Sequence, residues 1–556
     1  MFRAVCLLLL LFTGLASTQD FPKDFVGPIV PDAPAKDLMP ISRLGQAKLI
    51  PDLCLYRYPV SSGSPECRKF CDQALGYSYS YVWMEAARSF ETALQHDPKC
   101  AFAWLGLHRS LEKWGSSNKP QDGKPLGTVL GAMFLAKPTD AYAKPPKEFA
   151  LEQAKATMTQ ASHRERLLIQ AKLQERGMWP DTKSEDRKKK AAETLNELLT
   201  LEEDDEEAWF ARAQLAEGSN AAVPYYKALL KINPLHPGAN HELVHHYEGI
   251  QRPALGWIHA ERYMESSPGM PHAFHMQAHL ATRVGKWANT TNWSYRAFSM
   301  QKEYHRIQDV KPADDHQFQH HTEILIRSLL HDGRLSEARS LKAEADSYGF
   351  KFPELWFRLS MLGGTVADAE ALVQTVRKKD KAQGAYLAAM LALQQGSTGK
   401  AQAEIDVLQQ ALRTKKDNRG LQQKYLEVQA WLQCQCGQGD EGLKLFKKLI
   451  DQTKNDFGHH TWGGGATYME VWGVAALQAG KPVEAEEAFQ EALAHDAGSV
   501  QGALGLWATC TSTGRSDEAA RYMKLAQKCW AKADPADFER LKNHMRQLVR
   551  TEPATR

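Results

Sequence analysis

The sequence predicts an all-α fold, an α-solenoid of stacked helical hairpins behind a cleaved N-terminal signal peptide. Three observations predict it. Helical periodicity fills nearly every stretch between Pro- and Gly-marked loops, and no run shows the alternation of a strand. Small and apolar residues recur at a spacing of 34. A short apolar run opens the chain, and no later stretch is long and apolar enough to span a membrane.

Size and charge narrow the function classes. A chain of 556 residues exceeds one compact core, so it holds several domains or a repeat array. Apolar residues make up 43% and charged residues 24%, which excludes a largely disordered chain, a collagen and a multi-span membrane protein. Lys plus Arg number 69 against 66 Asp plus Glu, and a net charge of +3 gives no electrostatic ground for a nucleic-acid partner.

Residues 1–18 read as the signal peptide. Arg3 supplies the positive start, Val5 to Leu15 the apolar run, and Gly14, Ala16 and Ser17 the small residues of a cleavage site. The mature N-terminus is expected between residues 17 and 20, and the protein is expected to be exported, with no transmembrane segment after cleavage. Cys54, Cys67, Cys71 and Cys100 then form one group of thiols in an oxidising compartment, and Cys434, Cys436, Cys510 and Cys529 another. Disulfides are expected, with their connectivity open. A four-Cys zinc site has the right ligand type, but the spacing is not that of a ribbon or finger.

Residues 19–79 read as an irregular segment, of which 19–65 are rich in Pro and Ser and lack helical period. Repeats are expected over 80–310. There Ala86, Phe90, Ala93 and Pro98 have the spacing of a second repeat helix, followed by Trp104 and Leu107. Within this region 115–148 reads as a long Pro-rich loop with an apolar piece at 129–135. Glu202 to Glu207, six acidic residues in a row, read as a solvated helix start where negative charge suits the helix dipole. Ala222, Tyr226 and Pro234 repeat the helix spacing, and Pro234 and Pro268 lie 34 apart. Residues 311–450 fit as hairpins of irregular length, and 451–466 as a linker carrying His459, His460 and Gly463 to Gly465. Two clear repeats occupy 467–535, where Ala485, Phe489 and Ala492 recur as Ala519, Met523 and Ala526. Residues 536–556 read as a final helix and tail.

These residues resemble the tetratricopeptide repeat (TPR), a 34-residue helical hairpin with small residues where the helices touch. Units at about 80–110, 207–234, 237–302 and 467–530 match well. Each hairpin buries one face on its neighbour, and a stack of hairpins curves into a concave groove. The resemblance implies a scaffold whose groove binds a protein or peptide partner. Asn-Pro-x-His-Pro-Gly-Ala-Asn-His at 233–241, Pro-His-Ala-Phe-His-Met-Gln-Ala-His at 271–279 and the stretch 97–104 are similar to segments of a group of exported TPR proteins without an assigned activity.

Histidine is the sharp chemical feature. Twelve of the twenty histidines fall between His236 and His321. His241-Glu242-Leu243-Val244-His245 is an HExxH sequence, which on a helix sets two imidazoles one turn apart with Glu242 as a candidate general base. Adding 34 to 241 and 245 gives His275 and His279, so two HxxxH pairs occupy equivalent positions of adjacent repeats. His316 and His320 make a third pair, with Glu323 and Arg327 continuing its stripe. His241, His245, His275 and His279 are therefore the candidate ligands for zinc or another divalent transition metal, joined by His272, His316 and His320 as further candidates. They are expected to face one groove. Three uses remain open: histidines that only pack helix on helix, a metal site, or a groove for a polar or anionic ligand. The leading expectation is a non-catalytic binding scaffold. The alternative is a zinc-dependent hydrolase with Glu242 as base, against which stands the lack of a strand to present an extended substrate.

Overall fold

The computed structural model describes residues 38–42, 44–116, 146–180, 182–455 and 466–549. The signal peptide at 1–18, the apolar piece at 129–135, the glycines of the 451–466 linker and the tail from residue 550 lie outside the described residues. Among those described there are 25 α-helices and no strand. The chain divides into two compact units, Met1–Ile232 and Asn233–Arg556.

The first unit contains α1 (Pro65–Tyr79), α2 (Trp83–His96), α3 (Ala101–Ser116), α4 (Pro146–Thr157), α5 (His163–Arg176), α6 (Arg187–Leu201), α7 (Glu206–Gln214) and α8 (Ser219–Ile232). The first hairpin is α1 with α2, so regular structure begins within the segment expected to be irregular through residue 79. Ser64 caps α1 by accepting from the Cys67 amide at 3.2 Å, with Pro65 as the first helical residue. Helices α2 and α3 approach closely because Gly106 has no side chain. A Cβ there would stand 2.3 Å from the Phe90 ring.

The acidic run also departs from the expected solvated face. Asp205 is the N-cap of α7, accepting from the Ala208 amide at 2.8 Å, yet Asp205 and Glu207 are buried. Tyr58 donates to Asp205 at 3.0 Å, Tyr79 donates to Glu207, and Arg109 pairs with Glu207 at 3.1 Å. Burial pushes the Asp205 carboxyl up to about 6. Two of the six acids thus anchor the chain around residues 58–79, which a local reading of charge does not reveal.

The second unit contains α9 (Pro237–Gly249), α10 (Trp257–Ser266), α11 (Pro271–Arg283), α12 (Trp287–Gln308), α13 (His316–His331), α14 (Leu335–Ser347), α15 (Pro353–Gly363), α16 (Val366–Arg377), α17 (Lys381–Gln394), α18 (Thr398–Thr414), α19 (Arg419–Gln435), α20 (Gly439–Thr453), α21 (Thr467–Gln478), α22 (Pro482–His495), α23 (Val500–Ser512), α24 (Ser516–Cys529) and α25 (Pro535–Leu548). Consecutive helices pack on one another through α24, and α25 packs on α21 and α23 instead of on α24. None of the described helices is long and apolar enough to cross a membrane.

This unit returns on itself. The Trp287 indole donates to both carboxylate oxygens of Asp496 at 3.0 Å. The Trp530 indole donates to the His331 carbonyl at 2.7 Å, and the Ser336 amide donates to Asp534 at 2.9 Å. The C-terminal hairpins are thereby fastened to the turns beside α12 and α13. Between them lies a cavity of about 490 Å³, lined among others by Arg327, Arg358, Tyr386, Trp431, Glu470 and Trp530.

Candidate metal centre

Three first helices of successive hairpins, α9, α11 and α13, carry the histidines. Local sequence sets each of them. His236 caps α9, its Nδ1 accepting from the Ala239 amide at 3.1 Å, and Pro237 takes the first helical position. Asn240 is wholly buried and donates to the carbonyls of Pro234 and His236 at 3.0 and 3.1 Å, so the Asn of the Asn-His motif fixes the entry to the helix. Pro271 opens α11 in the same way, and Asp315 caps α13 by accepting from the Phe318 amide at 3.3 Å.

The imidazoles form two groups. In the first, His245 Nε2 lies 3.0 Å and His272 Nε2 lies 3.1 Å from His241 Nε2. In the second, His279 Nε2 lies 2.7 Å from His275 Nε2, with His320 as third member. Within each group the ligand atoms all lie within 4.8 Å of one another. Nitrogens bound tetrahedrally to one ion at 2.0–2.1 Å would stand about 3.3 Å apart. A neutral imidazole offers one N–H and one lone pair. Three Nε2 atoms meeting at one point therefore cannot all satisfy each other, whereas three lone pairs suit a cation.

His321 joins the groups. Its ring centroid is 4.4 Å from that of His275 and 6.4 Å from that of His272. It is buried, and neither ring nitrogen has a hydrogen-bond partner among the described residues. Burial holds His272, His275 and His320 well below the ordinary imidazole range, and His245 and His321 down to about 4. These rings are thus neutral near pH 7, the form that ligates metal.

One carboxylate supports the second group. Glu248 accepts from Arg283 at 2.9 and 3.0 Å, and its Oε1 lies 3.6 Å from His279 Nδ1. Burial raises the Glu248 carboxyl, but His279 and Arg283 outweigh it and hold the group below the usual carboxylate range. An imidazole with Nε2 turned to a cluster and Nδ1 turned to a carboxylate is the arrangement that orients histidine ligands at metal sites.

The sequence expectation is corrected in three respects. First, His241, His245, His275 and His279 do not face one groove. They divide between two groups, completed by His272 and His320. The 34-residue register places His275 opposite His241, but the contact falls on His272, three residues earlier, because neighbouring helices cross at an angle. Second, His241, His272, His275, His279 and His320 are buried, with exposures of 8% or less, so they line no open groove. Third, neither group includes Glu242, which is only half-buried. The side chain of His316 lies outside the described residues. Arg327 pairs with Glu323 at 2.7 Å and lines the cavity instead. Two contributors were missed, Glu248 and His321. Helix arithmetic offers a signal for the first, since 241, 245 and 248 share one face.

No family model matches the chain, and no curated protein matches it. Among solved structures, it is similar to the APC/C hetero-tetramer Cut9–Hcn1, at 13% identity over 82% of this chain and 76% of that one, with a TM-score of 0.31. It is also similar to the TPR domain of P58(IPK), at 14% identity over 64% of this chain and 98% of that one, with a TM-score of 0.17. The paired helices and their 34-residue spacing, taken by themselves, make this chain an α-solenoid of TPR-like hairpins.

Proposed function

We propose that this protein is a TPR-like scaffold that binds divalent transition-metal ions, zinc or a similar ion, at two neighbouring tri-histidine sites. His241, His245 and His272 would hold one ion, and His275, His279 and His320 the other. The observation that carries this reading is the convergence of three Nε2 atoms from two successive hairpins at 3.0 and 3.1 Å. Hydrocarbon packing has no use for such a meeting, and imidazole is a preferred ligand of zinc, copper and nickel. The reading assigns no catalysis to Glu242. Exposure of the ions to solvent and substrate is not required for it.

Elemental analysis of untagged, full-length protein tests it. Two ions per chain are expected. His241→Ala should remove one, and His241→Ala with His275→Ala should remove both, while Glu242→Gln leaves both. A chain without metal, or a double variant with unchanged content, overturns the reading. Cleavage of a leader at 1–18 would put this loading in an exported compartment, and secreted material that still begins at Met1 would count against it.

The cavity of the second unit favours a second role, a protein or peptide partner held inside it. A photo-crosslinking residue at Met390, which lines the cavity, should trap a partner. Trapping no greater than from the exposed Val483 would argue against this role.

A further inference from the structure

A second set of soft-metal ligands lies in the first unit, far along the chain from the histidines. Cys67 and Cys71 are one turn apart on α1, and Cys100 immediately precedes α3. The three sulfurs lie within 4.8 Å of one another. All three residues are buried, at 0%, 0% and 2% exposure. Hydrogen bonds outside the cluster bring these helix ends together. Ser62 donates to Asp97 at 2.5 Å, Ser64 caps α1 on the Cys67 amide, and the Cys100 amide donates to the Asp97 carbonyl at 3.1 Å.

We infer that Cys67, Cys71 and Cys100 form a three-coordinate thiolate site for a soft monovalent ion of the copper(I) type. Sulfurs bonded to one ion at about 2.3 Å in a plane stand about 4.0 Å apart. A triangle with sides no longer than 4.8 Å is of the size that geometry needs. Thiolates select copper(I) and zinc over harder ions. The cluster offers three thiolates and no nitrogen or oxygen ligand, a donor set that suits the softer copper(I) ion best. Two helix N-termini face the negative charge: Cys67 lies in the first turn of α1, and Cys100 immediately precedes α3. A disulfide would use two of the sulfurs and leave the third without a role.

The site is independent of the histidine centre and is tested separately. Reduced full-length protein is titrated anaerobically with copper(I) in competition with bicinchoninate. One copper(I) per chain should be withheld with a sulfur-only shell in X-ray absorption, a measurement that needs no variant. Cys100→Ser should weaken retention by more than the roughly 10–100-fold that changes around metal ligands cost. His241→Ala with His275→Ala should leave it unchanged. Nitrogen ligation of the first equivalent, retention by Cys100→Ser equal to wild type, or preferential retention of zinc overturns the proposal. So does a disulfide among the three cysteines, found by peptide mapping of protein isolated without reductant.

Discussion

In the C-terminal hairpins the ring of Phe489 on α22 fills the seam between two first helices. A Cβ at Gly473 on α21 or at Gly505 on α23 would stand 2.4 Å from that ring. In the hairpins of α9, α11 and α13 the helices meet through imidazoles. The scaffold is the same, and the contents differ in what they demand. A seam of glycine and phenyl is complete once dry, since apolar atoms need only contact. A seam of imidazoles stays incomplete, since each buried nitrogen needs a partner or costs free energy. His321, with neither nitrogen hydrogen-bonded, marks that incompleteness. The comparison teaches that the hairpin stack supplies geometry, while the residue type at the seam decides between structure and binding.

The largest expected effect lies on the dry side. Phe489→Ala should cost about 3–5 kcal/mol in denaturant unfolding and leave metal content unchanged. If metal were lost as well, the two regions would not be separable. The next concerns the wet side. Chelator-treated His321→Leu should be more stable than chelator-treated wild type by about 1–3 kcal/mol, because two unpartnered buried nitrogens disappear. A less stable variant would mean that the imidazole seam is satisfied as it stands, and would break the comparison.

A third buried polar group sharpens it by being satisfied with a proton. Glu427 on α19 accepts from the Tyr386 hydroxyl at 2.7 Å, and burial pushes its carboxyl up to about 8. The folded value lies above the unfolded one, so the folded state holds a proton that the unfolded chain has released. Stability from this group is complete below about pH 4.5 and is lost progressively as pH rises to about 8. Glu427→Gln should flatten that fall, gaining about 1 kcal/mol or more over wild type at pH 8 relative to pH 5. Parallel pH–stability curves for the two proteins would contradict the assignment.

The helical hairpins were legible because period and punctuation are local. Ala485, Phe489 and Ala492 recur at 34 whatever surrounds them, and the structure pairs their helices as expected. The histidine pairs were legible for the same reason, since four residues on a helix make one face. Their grouping was not. Which imidazole of α11 meets His241 depends on the crossing of two helices, and sequence register holds no record of that angle. Glu202 to Glu207 shows the same division. Charge read along the chain suggests a wet helix start, while Tyr58, Tyr79 and Arg109, distant in sequence, bury two of the acids.

The sequence by itself determined the helices, their caps, their pairing into hairpins and the ligand types placed on them, because these follow from contacts within one or two turns. Only the tertiary structure decided that six histidines divide into two groups of three, that Glu248 backs one of them, and that three cysteines, two on α1 and one just before α3, meet in one buried point. It also decided that Asp496 and Trp530 fasten the C-terminal hairpins to the turns beside α12 and α13. The physical reason is the same in each case: these contacts join residues far apart in the chain, and their distances are set by the angles at which whole helices pack.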